Sequence, residues 1–291
     1  MIAAAGPMSQ RGQMIDVGGR RMRIICAGPP EARPVVIFES GAFGSGADFA
    51  VVQDKLTAKG MRSCAYDRAG MGLSDPSPEP RDGIAIASDL EKLLKAADVP
   101  GPYVMVGHSM AGLRLREFAG RNPDKVAGVV LVDAATPEAL TDGQTRKFVT
   151  RFAGASKWAA FAASIGTLSG TGLGNKIGLY GEAEKEKRRF FASGRHNRTA
   201  SAEVGMWPQA SDQAAATPPF APDVPVAVIT AGALADWNGA RKAMQSAPAD
   251  HAAHGYIDHV AGAQHNTLLG PVYADHIVKG VDFVLANLAK R

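Results

Sequence analysis

The chain has 291 residues, of which 46% are hydrophobic and 21% charged, and its formal net charge is +4 at pH 7. This composition is that of a folded globular protein, and the length accommodates one large α/β domain with an insertion. The small positive charge excludes an extended nucleic-acid-binding surface, and no apolar run reaches the length of a membrane span.

The two cysteines, Cys26 and Cys64, lie in apolar, strand-like stretches, where a buried thiol behaves as a small hydrophobic group. Residues 1–13 lack the basic segment and apolar run of a secretory signal. We therefore expect two reduced thiols and a cytoplasmic protein.

The first part of the chain alternates predicted strands and helices. Residues 14–17 and 20–26 flank Gly18-Gly19, a pattern typical of a hairpin with a two-glycine turn. The run Val35-Val36-Ile37-Phe38 is wholly apolar, as in a strand buried on both faces. Hydrophobic spacing then predicts, in order, a helix at 49–59, a strand at 62–66 and a helix at 84–97.

The most informative segment comes next. The apolar run Tyr103-Val104-Met105-Val106 predicts a buried strand, and Gly107-His108-Ser109-Met110-Ala111-Gly112 precedes a helical run. This order is typical of a nucleophile elbow, in which a strained turn holds the serine Oγ above the sheet. Small residues at Gly107 and Ala111 avoid collisions with the neighbouring strand and helix. Ser109 is therefore the predicted nucleophile.

A further buried strand at 126–132 ends at Asp133, and there the alternation stops. Residues 137–221 contain no strand-like run but have amphipathic runs at 148–165 and 182–191. These runs predict a helical cap inserted after Asp133. Five apolar residues in it could line a pocket or attach the cap to the core: Trp158, Phe161, Leu168, Met206 and Trp207.

The alternation resumes after the cap, with predicted strands at 224–230 and 255–260 and a closing helix at 272–288. Such alternation favours a mostly parallel central sheet flanked by helices, with functional residues at the carboxyl ends of the strands. We divide the chain into a core, residues 1–136 and 222–291, and a helical cap, residues 137–221.

Four segments together resemble the α/β-hydrolase fold over nearly the whole chain. They are Glu39-Ser40-Gly41-Ala42-Phe43-Gly44, Asp67-Arg68-Ala69-Gly70-Met71-Gly72-Leu73-Ser74, the elbow, and Gly262-Ala263-Gln264-His265. Within that superfamily the chain most resembles capped bacterial carboxylesterases. It departs from many relatives in having Ser40-Gly41 where they have His-Gly, which leaves the side-chain hydrogen bonds of this loop open.

The resemblance implies that His265 is the base that activates the serine, since it follows the last strand. His108 is interpreted as a structural residue in the packing beneath the elbow. The remaining histidines are interpreted as surface or core residues: His196, His251, His254, His259 and His276.

Two aspartates could orient the histidine. Asp133 ends a buried strand, where some relatives place the acid. Asp236 follows the next strand, the commoner place, but the spacing from Gly232 is one residue too long, and Asp236 could instead cap a helix. We favour Asp133 and leave Asp236 open.

An acyl-transfer reaction also needs two donors for the oxyanion. The resemblance assigns them to the backbone N–H groups of Met110 and Ala42. The glycine spacing from Gly41 to Gly46 does not match a dinucleotide loop, and no metal-ligand spacing is present.

The sequence therefore predicts a hydrolase without cofactor or metal that cleaves a small carboxylic ester or lactone through an acyl-enzyme on Ser109. An amidase, an acyltransferase or a perhydrolase with the same triad remains an alternative, as does a non-catalytic binding protein. We expect no nucleic-acid or membrane partner, and the oligomeric state stays open.

Overall fold

The computed structural model describes residues 11–168, 174–232 and 239–288. Within these residues eight strands form one sheet in the order β1-β2-β4-β3-β5-β6-β7-β8. The first two pairings, β1 with β2 and β2 with β4, are antiparallel, and every other pairing is parallel. The strands are β1 Gln13–Asp16, β2 Arg21–Ala27, β3 Val35–Glu39, β4 Ser63–Tyr66, β5 Tyr103–His108, β6 Val126–Val132, β7 Val226–Ala231 and β8 Gly255–Val260.

Helices cover both faces of this sheet. Strands β3, β4 and β5 are buried along their whole length, as their continuous apolar runs predict for strands covered on both sides. One face packs against α1 and α9, and the other against α2 and α3. The core helices are α1 Ala50–Ala58, α2 Gly83–Ala96, α3 Ala111–Arg121, α8 Gly239–Asp250 and α9 Ala274–Ala286.

In the described part of the predicted cap, residues 137–221, four α-helices lie between β6 and β7: α4 Gly143–Ser164, α5 Gly181–Phe191, α6 Gly194–Gly205 and α7 Trp207–Ala216. Apolar cap residues such as Val204 and Trp207 pack against Met110 and Leu113, at the start of α3. The cap therefore attaches to the core beside the predicted nucleophile. No described helix is both long and apolar enough to cross a membrane.

The expectation of two reduced thiols is wrong. Cys26 and Cys64 face each other across the antiparallel pair β2 and β4, and their sulfurs form a disulfide. Nothing local in the sequence indicates that β2 pairs with β4, so the sequence does not show that the two cysteines meet. Reduced thiols thus no longer support a cytoplasmic location, since disulfides persist mainly in oxidising compartments.

Removing this disulfide should destabilise the fold. The double substitution Cys26→Ala and Cys64→Ala should lower the free energy of unfolding by about 2–4 kcal/mol, because the bond closes a separation of 38 residues in the unfolded chain. Urea unfolding followed by circular dichroism measures the difference. Two free thiols titrated in the denatured, unreduced wild-type protein would contradict the pairing.

Candidate active site

Ser109 lies in the turn that joins β5 to α3. Its φ is +60°, a left-handed conformation that is uncommon for residues with a side chain. The Ser109 N–H donates to the Val132 carbonyl at 3.1 Å, and the Ala135 N–H donates to the Ser109 carbonyl at 2.8 Å. A Cβ on Gly107 would lie 2.6 Å from Leu115 Cδ1. A side chain at position 107 would therefore collide with Leu115, which explains why a small residue is needed there.

Asp133 and His265 lie together beside this turn. His265 Nδ1 is 2.6 Å from Asp133 Oδ2, and Gln245 Nε2 donates to Asp133 Oδ1 at 3.0 Å. The Asp133 N–H also donates to the Ile229 carbonyl at 2.7 Å. Since Nδ1 is occupied, Nε2 is the ring nitrogen left to exchange a proton. Of the two candidate acids, Asp133 contacts the histidine, and Asp236 lies outside the described residues.

The Asp133 carboxylate is held in its ionised form. Burial alone raises its pKa, but the hydrogen bond and charge of His265 outweigh this effect, assisted by the positive charge of Arg241. The pKa of Asp133 therefore lies well below its usual range. A permanent carboxylate at Nδ1 fixes the imidazole ring and stabilises it when Nε2 gains a proton.

His108 also contacts the His265 loop. Its Nε2 lies 2.9 Å from the His265 carbonyl, and the centroids of the two rings are 4.4 Å apart. Burial, and then the nearby charge of His265, lower the pKa of His108 to about 3. The ring is therefore neutral and donates to the carbonyl. His108 therefore supports the loop that carries His265. It lies beside the candidate catalytic residues and not in the packing beneath the elbow.

Residues 40–44, which we call the oxyanion loop after the role predicted for Ala42, closely approach Ser109. A Cβ on Gly41 would lie only 2.7 Å from Ser109 Cβ, so a larger residue would push the loop away. Among the described residues the N–H groups of Ala42 and Met110 have no hydrogen-bond acceptor. Met110 also precedes the first turn of α3, where the helix dipole favours negative charge. Two unused donors thus flank the serine.

The direction of the Ala42 N–H is set by the preceding carbonyl. Arg68 Nη2 donates to the Gly41 carbonyl at 2.9 Å, and the Gly44 N–H donates to it at 3.1 Å. In a planar trans peptide the C=O and the following N–H point in opposite directions. The Ala42 N–H therefore points away from the Arg68 guanidinium.

Arg68 belongs to a buried cluster of four charged side chains, the arginine–glutamate cluster. It comprises Arg68, Arg114, Glu39 and Glu203, all at most 4% exposed. Each arginine pairs with both glutamates, at 2.9–3.1 Å. Burial raises the pKa of Glu203, but Arg68 and Arg114 outweigh it, so the net shift is downward. Because Glu203 lies on cap helix α6, the cluster joins the cap to the oxyanion loop.

Two further cap residues bind the same loop. His196 Nε2 lies 3.2 Å from the Phe43 carbonyl, while its Nδ1 accepts from the Gly72 N–H at 3.0 Å. Burial, with Lys187 nearby, lowers the pKa of His196 to about 3, so the neutral ring donates through Nε2. Lys187 donates to the Phe43 carbonyl at 3.2 Å.

The charged run 185–189 of α5 is only partly exposed. Glu186 is buried against Arg23, and Lys187 pairs with Asp48 at 2.8 Å. Helical periodicity turns these two residues toward the core and leaves Lys185 exposed. His196 is a core residue, as interpreted, but one that connects cap and loop.

A cavity of about 1120 Å³ lies between cap and core, and Ser109, Asp133 and His265 all line it. Of the apolar cap residues considered above, Trp207 lines this cavity. Trp158 and Phe161 are 74% and 57% exposed and neither line it nor attach the cap. Phe148 and Phe152 of α4 form the aromatic wall instead.

A family model described as the alpha/beta hydrolase fold matches residues 34–269. The chain belongs to the alpha/beta hydrolase fold family. The resemblance to the α/β-hydrolase fold and the predicted fold class are thereby confirmed.

Proteins of related sequence match part of the chain. It is 36% identical over 111 residues to an uncharacterized vacuolar membrane protein of Saccharomyces cerevisiae, covering 37% of this chain and 17% of that protein. It is 35% identical over 111 residues to a non-heme chloroperoxidase of Streptomyces lividans, covering 38% of this chain and 40% of that protein. The matches therefore span less than half of either relative.

Solved structures of the alpha/beta hydrolase fold match nearly the whole chain. An epoxide hydrolase of Vigna radiata superposes with a TM-score of 0.72 at 15% identity, covering 93% of this chain and 98% of that one. A thermophilic esterase of Thermogutta terrifontis superposes with a TM-score of 0.67 at 18% identity, covering 95% and 99%. At these identities the likeness shows the shared fold.

Removing one carboxylate from the arginine–glutamate cluster should destabilise the fold. Glu203→Gln leaves two buried guanidiniums sharing Glu39, so the free energy of unfolding should fall by roughly 3–5 kcal/mol, measured by urea unfolding at pH 7. The matched control Glu184→Gln, at an exposed pair on α5, should leave the midpoint unchanged.

The pH dependence of this difference follows from the lowered pKa of Glu203. A carboxyl group with a lowered folded-state pKa stabilises the fold above its ordinary value, 4.5, and the effect is lost as the pH falls through the folded-state pKa. Equal unfolding midpoints for both variants at pH 7 would contradict the assigned role of the cluster.

Proposed function

We propose that this protein is a serine hydrolase that cleaves a carboxylic ester or lactone through an acyl-enzyme on Ser109. The observation that carries the proposal is that a strained serine and a histidine–aspartate pair line one cavity. The membership in the alpha/beta hydrolase fold family and the esterase among its structural neighbours support it.

In the proposed mechanism His265 Nε2 removes the proton from Ser109 Oγ, which attacks the carbonyl carbon of the substrate. The tetrahedral oxyanion accepts hydrogen bonds from the N–H groups of Ala42 and Met110. Asp133 stabilises the imidazolium. The imidazolium then protonates the leaving alcohol as the ester bond breaks, and the acyl-enzyme remains.

Deacylation repeats these steps with water. His265 removes a proton from the water as its oxygen attacks the acyl carbon, and the proton then returns to Ser109 Oγ. The acid product leaves with its new oxygen from water. No step needs a cofactor. An amide substrate or an acceptor alcohol would follow the same sequence of bond changes.

Perhydrolysis is the second candidate function, favoured by the relative named as a non-heme chloroperoxidase. Hydrogen peroxide would then replace water, so that the acyl-enzyme yields a peracid and free serine. Epoxide hydrolase and dehalogenase chemistry is disfavoured, because attack of Ser109 Oγ on an alkyl carbon would leave an ether, which water does not hydrolyse as it does an ester.

Loss of the nucleophile tests the proposal. Ser109→Ala should reduce kcat for p-nitrophenyl esters by up to roughly 10⁶-fold, while circular dichroism stays unchanged, because a small residue replaces another small residue. Stopped-flow release of p-nitrophenol compares the two proteins. If the variant retained more than about a tenth of the wild-type kcat, Ser109 would not be the nucleophile.

The choice of acid is tested by a matched pair of variants. Asp133→Asn should reduce kcat by roughly 10⁴-fold, since the histidine loses the carboxylate that fixes its tautomer. Asp236→Asn should retain activity. Measuring kcat for both purified variants distinguishes the two aspartates. An inactive Asp236→Asn variant together with an active Asp133→Asn variant would show that Asp236 is the acid.

A further inference from the structure

The cavity between cap and core has an excess of positive charge. Among the described residues six lysines and arginines line it, against three acidic residues: Asp48, Asp133 and Asp142. Asp48 pairs with Lys187, and the charge of Arg241 acts on Asp133 without an ion-pair contact. The cations in the described lining of the cavity therefore outnumber its carboxylates.

Four basic side chains that line the cavity form no ion pair with a carboxylate of the described chain. These four, which we call the basic rim, are Lys147, Arg151, Lys176 and Arg241. All four are exposed, which places them where the cavity meets solvent. Unpaired cations that share one opening repel one another, and an anion placed among them lowers that repulsion.

The basic rim comes from three separate parts of the chain. Lys147 and Arg151 are one turn apart on α4, a spacing at which like charges destabilise a helix. Lys176 lies between α4 and α5, and Arg241 lies on α8. Arg241 is one turn before Gln245, the residue that binds Asp133. The rim thus surrounds the opening from both cap and core.

An apolar wall lies beside the basic rim. Phe148 and Phe152 follow Lys147 and Arg151 by one residue each and line the same cavity. Their rings stack with centroids 5.7 Å apart, and each meets Trp207 edge to face. A ligand that reaches from Ser109 to the opening could therefore contact both an aromatic surface and the cations.

We propose that the substrate is an ester or lactone with an apolar body and an anionic oxygen group, a carboxylate or a phosphate, at the end remote from the scissile bond. The aromatic wall binds the apolar body, and the basic rim binds the anion. Arginine suits this role because its planar guanidinium binds such groups through two parallel hydrogen bonds. The inference rests on the proposed function and names its substrate class.

A pair of matched substrates tests the inference. The rate of p-nitrophenol release is measured for p-nitrophenyl hydrogen suberate, which carries a carboxylate, and for its neutral methyl ester. The ratio of kcat/KM, anionic over neutral, should be about 10 or more at low ionic strength. It should fall as salt screens the exposed cations.

Two double variants with the same change in net charge provide the control. Lys147→Gln with Arg151→Gln should reduce the ratio about tenfold, chiefly through KM for the anionic ester. Lys157→Gln with Arg189→Gln removes one lysine and one arginine from exposed cap positions outside the cavity and should leave the ratio unchanged. Equal ratios in the two variants would overturn the inference.

A binding measurement separates this inference from the proposed function. Calorimetry with the Ser109→Ala variant compares hexanoate and hexyl phosphate with the neutral 1-hexanol, without any turnover. Tighter binding of either anion, lost in the Lys147→Gln and Arg151→Gln background, supports the inference and identifies the preferred anion. If the wild type cleaves neither ester, the proposed function fails. If 1-hexanol binds as tightly as both anions, the inference fails.

Discussion

The arginine–glutamate cluster holds the candidate active site together. Glu39 ends β3, Arg68 follows β4, Arg114 lies on the helix after Ser109, and Glu203 comes from the cap. Arg68 also binds the carbonyl that determines where the Ala42 N–H points. One set of buried charges therefore connects the sheet, the elbow helix, the oxyanion loop and the cap.

Such a cluster stabilises the fold only when it is complete, because each buried charge costs several kcal/mol unless its partners compensate. The cap supplies one of the two carboxylates, so a displaced cap would leave two buried guanidiniums with a single partner. A second buried contact repeats the arrangement, since Arg23 binds both Asp67 of the core and Glu186 of the cap. Electrostatics thus favours a cap that stays closed over the cavity.

Local patterns predicted much of the fold. The strand, tight turn and helix around Ser109 follow from apolar runs and small residues that are adjacent in sequence. The partners that complete the site are not adjacent: Arg114 and Glu203 are separated by 89 residues, and Arg23 and Glu186 by 163. No periodicity encodes such pairings. Likewise Cys26 meets Cys64 only through strand register, and Asp133 meets His265 only at the sheet edge.

The proposed function requires that Ser109 and the amides of Ala42 and Met110 form one acyl-transfer site. A crystal structure of the protein after reaction with a fluorophosphonate tests it most directly. We predict phosphorus bonded to Ser109 Oγ, with the phosphonyl oxygen about 2.7–3.1 Å from both amide nitrogens. Phosphorus on another residue, or a phosphonyl oxygen directed away from both amides, would contradict the claim.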